Sequence, residues 1–107
     1  MGAYPLTQTN NFLPAFGGLE AISATTSSTS ATLAGLEITA CDTLVLYNAA
    51  AALAYARWGV GAQTATTSDM PLPPGTLQVF NKGQADTVAV ILASGSGTVY
   101  AMPGQGS

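Results

Sequence analysis

Short runs of alternating apolar and polar residues, separated by Gly, Pro, Ser and Asn, recur along most of this chain. Residues 43–48, Thr-Leu-Val-Leu-Tyr-Asn, are β-branched and aromatic and give the strongest strand signal. Before them, the Thr- and Ser-rich stretch 24–32 disfavours helix, because Ser competes for backbone hydrogen bonds and Thr is stiff at χ1. Strands are expected at 21–25 and 29–34, joined near Ser27-Ser28, and Leu36 and Ile38 then alternate with Glu37 and Thr39.

Residues 49–58 are contested. The run Ala-Ala-Ala-Ala-Leu-Ala-Tyr-Ala-Arg-Trp favours helix by intrinsic propensity. Its alternation favours strand, since Leu53, Tyr55 and Arg57 share one face and Ala52, Ala54, Ala56 and Trp58 the other. Strand is the preferred reading, reached through a hairpin turning at residues 48–51. Residues 63–75 carry turn chemistry, and Pro74-Gly75 suits a type II turn with positive φ at the glycine. Three further short strands are expected at 76–81, 87–93 and 98–102.

Short strands at this spacing, punctuated by Gly and Pro, predict an all-β fold. It should be a single antiparallel β-sandwich or jelly-roll-like barrel of about seven or eight strands. Leu44, Leu46, Val79, Val88, Val90, Ile91, Leu92 and Val99 are the expected core. Residues 1–18 have neither helical nor strand periodicity and read as an extended N-terminal arm with isolated apolar anchors Tyr4, Leu6, Phe12, Leu13 and Phe16. The sandwich domain occupies 19–107.

Composition changes the picture in one respect. Of 107 residues only 7% are charged, five acidic against two basic, for a net charge of −3, and histidine is absent. Binding nucleic acid by phosphate neutralisation needs a stripe of Lys and Arg, so that activity is excluded as the main one. The 48% hydrophobic content argues against disorder. A surface so poor in charge has weak colloidal repulsion, and the expectation is a subunit that is covered in an assembly. The longest apolar run, 44–56, is shorter than a membrane-spanning helix, and no targeting signal is read at the N-terminus.

Candidate chemistry is sparse. Without histidine there is no Ser-His-Asp or Cys-His pair. Cys41 lies between Ala40 and Asp42, with no electropositive sequence neighbour, and reads as a small buried hydrophobe. The acids are scattered and make no metal-binding loop. Gly59-Val60-Gly61 begins like a dinucleotide fingerprint but lacks the third glycine and a following helical pattern. Asp69 reads as a turn residue. Tyr47, Tyr55, Trp58 and Tyr100 offer a sugar-binding platform or, alternatively, core. Arg57, beside Trp58, either pairs with an acid within or between subunits or lies solvated along a strand.

Taken in order, Leu44 to Asn48, Tyr55-Ala56-Arg57-Trp58-Gly59, Ala65-Thr66, Asp69-Met70-Pro71, Pro74-Gly75, Val88 to Leu92, Gly97-Thr98-Val99-Tyr100 and Pro103-Gly104-Gln105-Gly106 resemble small tailed-bacteriophage virion proteins of the accessory capsid or fibre-domain kind. The resemblance covers about two-thirds of the chain, from residue 36 onward, and leaves out the arm. It implies a non-enzymatic β-sandwich subunit assembled in a bacterial host cytoplasm, without cofactor or metal. Its expected role is that of a capsid cement or decoration protein that associates with itself, as dimer or trimer, and with a major capsid protein. The alternative is a receptor- or glycan-binding tail or fibre domain. Nucleic acid and membrane are not expected partners. Tyr4, Leu6, Phe12, Leu13, Phe16, Arg57 and Trp58 are the expected assembly contacts.

Overall fold

The computed structural model describes residues 13–14, 18–33 and 42–105. Within them the fold is all-β. Eight strands of three to nine residues follow the two-residue β1 (Leu13–Pro14): β2 (Glu20–Ala24), β3 (Thr29–Thr32), β4 (Thr43–Asn48), β5 (Ala54–Gly59), β6 (Met70–Leu72), β7 (Leu77–Asn81), β8 (Thr87–Leu92) and β9 (Gly97–Gln105). The expected strand around Leu36 and Ile38 lies outside the described residues, as does Cys41.

The pairings have a simple order. β2 pairs β9, β3 pairs β8, β4 pairs β7 and β5 pairs β6, all antiparallel. The chain is therefore one long ribbon, going out along β2 to β5 and returning along β6 to β9. The ribbon is rolled so that its successive rungs fall alternately in two sheets, and the cross-ribbon pairs β4–β9 and β5–β8 hold it closed. One sheet runs β9-β4-β7, with β2 and β1 both on the outer side of β9, and the other runs β3-β8-β5-β6. This is a jelly roll, a sandwich that limits exposed sheet edges by wrapping.

Side-chain alternation puts Ile22, Ala24, Leu44, Leu46, Val99 and Ala101 of the five-stranded sheet against Ala54, Ala56, Leu72, Val88, Val90 and Leu92 of the other. Small and large residues interleave across the strands. Ala54 lies between Leu72 and Leu92 in register, Ala56 between Met70 and Val90, and Ala101 is opposite Leu46. The alanine run is a strand because tertiary packing needs small side chains there, which overrides helix propensity. Trp58 and Phe80 close one end of the core, with ring centroids 4.9 Å apart.

Three expectations are corrected. No hairpin turns at 48–51: β4 and β5 belong to different sheets, and the chain crosses between them. Val79 is 52% exposed because β7 turns Phe80, not Val79, toward the core, and Ile91 faces outward opposite Tyr55 and is only half-buried. β9 runs on to Gln105 through the buried Pro103, which lies where that edge changes partner, between the β2 register ending at Ala101 and the β1 register starting at Gly104.

The crossing after β4 is built by Asn48, which is fully buried. Its Nδ2 donates to the carbonyls of Ala52 at 2.9 Å and Leu72 at 2.8 Å, and its Oδ1 accepts from the Ala50 N–H at 2.9 Å. Its backbone N–H donates to Thr76 O, and its carbonyl accepts from Gly75 N–H. Gly75 has φ 75°, and Thr76 N–H closes the turn onto Pro73 O, as the Pro74-Gly75 pair predicts. Gly97 is required where β9 begins, because a Cβ there would collide with Ala50 in the same corner.

Asn48→Ala should lower stability by at least about 2 kcal/mol, because two buried backbone groups, Leu72 O and Ala50 N–H, and the part-buried Ala52 O lose their partner together. Asn48→Asp should cost more despite its equal size, since it removes both donors and places a carboxylate against two carbonyls. Chemical denaturation of the two variants beside the wild type reads both effects.

Candidate functional site

The polar side chains gather in two places, at Arg57 with Asp69 and at Asp86 with Gly61. Arg57 on β5 and Asp69, just ahead of β6, are neighbours across the strand pair, with Arg57 Nη2 3.3 Å from Asp69 Oδ1. The Arg57 side chain is 49% exposed, so this intrachain pair is screened. The other carboxylate oxygen of Asp69 accepts from the Thr66 N–H at 2.7 Å, which makes it a turn residue, as expected. In the Gly59-Val60-Gly61 segment Gly59 ends β5, Val60 and Gly61 lie in the loop beyond it, and no helix follows. Gly61, at φ 80°, donates its N–H to Asp86 Oδ1, and the Thr87 hydroxyl donates to the same oxygen. The Gly61 N–H foremost, and then the Thr87 hydroxyl, hold the Asp86 carboxyl below the usual carboxylate range.

Lys82, the only lysine, is a feature that sequence reasoning missed. It is buried in the β7–β8 turn, and its Nζ donates to the carbonyls of Ala85 at 2.7 Å and Gly83 at 3.4 Å. Among the described residues no group of three or more His, Cys, Asp or Glu could hold a metal ion, and no helix is long and apolar enough to cross a membrane.

The four aromatics of the expected platform do not form one surface. Trp58 is half-buried against the core and its Nε1–H donates to Asn81 O at 3.1 Å, an arrangement internal to the subunit. Tyr55 is on the outer side of the four-stranded sheet, opposite Ile91 and Pro71. Tyr47 and Tyr100 meet on the outer side of the five-stranded sheet, stacked at 6.2 Å with planes 21° apart. Of the expected assembly residues, Leu13 belongs to β1 and pairs with Gln105 of its own chain, while Tyr4, Leu6, Phe12 and Phe16 lie outside the described residues.

The outer face that holds Tyr47 and Tyr100 is the most unusual surface described. An antiparallel sheet with one face in the core normally presents polar side chains on the other. Here the register aligns Val79 and Met102 with Val45, and Leu77 and Tyr100 with Tyr47. Together with Leu19 these residues line a groove of about 390 Å³. Leu77 is 61% exposed, and the outward positions of β2, β4, β7 and β9 include no charged residue. The sequence did show apolar residues at both parities of these strands. What it did not show was which parity faces the core.

Arg57→Ala should change stability by less than about 1 kcal/mol, the range of exposed ion pairs, as read by the denaturant midpoint. For Asp86 the folded carboxyl titrates below its unfolded value, so its contribution is present above the unfolded value and is lost as pH falls through the folded one. Asp86→Asn should therefore lower the melting temperature at neutral pH and weaken its dependence on pH in the acid range. Compared with family models, with curated proteins and with solved structures, the chain matches none.

Proposed function

We propose that this chain is a non-enzymatic structural subunit of a bacteriophage virion, a cement or decoration protein seated on the capsid lattice beside a major capsid protein. The observation that carries the reading is the uncharged, apolar outer face of the five-stranded sheet, formed by Leu19, Val45, Tyr47, Leu77, Val79, Tyr100 and Met102. Surface of this kind is a liability on a free monomer and an asset on a subunit that is covered. Three further points support it. The sequence resembles small virion proteins from residue 36 onward, and jelly rolls recur in viral capsid domains, an analogy of fold only. The apolar residues Tyr4, Leu6, Phe12 and Phe16 of the N-terminal sequence suit an arm laid against a neighbour.

A second reading, a glycan-binding tail or fibre domain, is favoured by the stacked Tyr47 and Tyr100 on an open face. Sugars also need hydrogen-bond donors and acceptors around the ring platform. The groove supplies Val, Leu and Met side chains there, so the structural role is the stronger one.

Purified particles decide between them. A cement protein should be present at a copy number comparable to that of the major capsid protein, measured by quantitative mass spectrometry or gel densitometry. Restriction to a few copies confined to the tail would overturn the capsid reading in favour of the second.

A further inference from the structure

We infer that the outer face of the five-stranded sheet is a self-association surface, occupied by the same face of a second copy of this chain across a twofold axis. The inference deepens the assembly reading above and rests on it. Three observations converge on a second copy.

The first is shape. Leu77 and Val79 form an exposed ridge on the edge strand β7, 61% and 52% exposed, beside a groove floor with the half-buried Val45, Tyr100 and Met102. Ridge and groove lie on one face, so a twofold rotation sets the β7 ridge of each copy over the floor of the other. That is the self-complementarity an isologous contact requires. Two sheets brought face to face in this way interdigitate about 10 Å apart, as the two sheets of the subunit already do.

The second is charge. A twofold contact places like groups near one another, and charged residues there would repel. The outward positions of β2, β4, β7 and β9 carry none. A charged partner, nucleic acid or peptide, would find nothing to pair with and would be desolvated without compensation.

The third is area. Leu19, Tyr47, Leu77 and Val79 are all large hydrophobic residues left in water on this one face, a contiguous patch of the kind that marks interaction sites. The exposed Ala21, Ser23 and Asn81 extend the face at its flanks.

The experiment uses two double variants of the full chain, Leu77→Glu with Val79→Glu, and Leu77→Lys with Val79→Lys. Both positions are exposed, and near-ultraviolet circular dichroism verifies the fold. Sedimentation across a concentration series should show the wild type dimerising and each variant weakened by at least about tenfold, because a charge of either sign would be desolvated on the partner's apolar floor. A wild type that stays monomeric through the micromolar range, or folded variants that dimerise as well as the wild type, would each overturn the interface. So would a dimer abolished by removing residues 1–12 with the face intact, which would assign the contact to the arm. Should a variant fail to fold, nitration of the wild type supplies the answer. Tyr47 and Tyr100 should become protected relative to Tyr55 as concentration rises, and equal reactivity at every concentration would overturn the proposal. These readouts concern the isolated chain, so their failure is distinct from a failure of the virion reading, which rests on copy number in particles.

Discussion

Asn48 is the side chain on which the two sheets depend for their connection. It ends β4 in one sheet, and through Leu72 O it is bonded to the end of β6 in the other. Its remaining amide bonds, to the Ala50 N–H and the Ala52 carbonyl, shape the corner by which the chain leaves β4 for β5. A buried carboxamide with both donors and its acceptor satisfied favours one geometry, because every alternative leaves polar groups unpaired at low dielectric. The corner has no glycine and no proline of its own, and the side chain performs the task those residues would otherwise have.

This explains which parts of the fold were legible in the sequence. β4 was readable to the residue, because Thr43 to Asn48 is strand-forming on local grounds alone. The turn at Pro74-Gly75 was equally local. A hairpin at 48–51 was a reasonable local inference and a wrong one, because what directs the chain into the other sheet is a bond between Asn48 and a carbonyl 24 positions away. Alternation likewise located β7 and β8 while leaving their facing ambiguous. Leu77 and Val79 are as hydrophobic as a core pair, and only the contact of Phe80 with Trp58 shows that the opposite parity is inside. The apolar outer face is the physical cause of both the misreading and the proposed function, since a strand apolar on two sides has no parity to read.

Among the charged groups of the described residues, Arg57, Asp69, Lys82 and Asp86 are bound up in turns and short contacts. Asp69 organises the turn that begins at Thr66 and pairs with Arg57, Asp86 ties the loop at Gly61 to the start of β8, and Lys82 secures the β7–β8 turn from within. Hydration of the surface therefore rests largely on Ser, Thr, Asn, Gln and exposed backbone. A chain so constructed gains its stability from packing and its specificity from polar side chains that bind its own backbone.

The rolled ribbon also governs when the protein can fold. β9 is the last strand in the chain and yet has partners on both sides, β4 on one and β2 with β1 on the other. A growing chain that has produced everything up to β8 still lacks the strand that joins the two ends of the ribbon, and the inward faces of Ile22, Leu44 and Leu46 stay uncovered. The pairings of β2 with β9 span most of the chain, the kind of distant contact whose loop-closure entropy slows folding. Folding of this domain is thus a late event that awaits residues 97–105, and the interval before it is when an uncharged, strand-rich chain is most exposed to its neighbours.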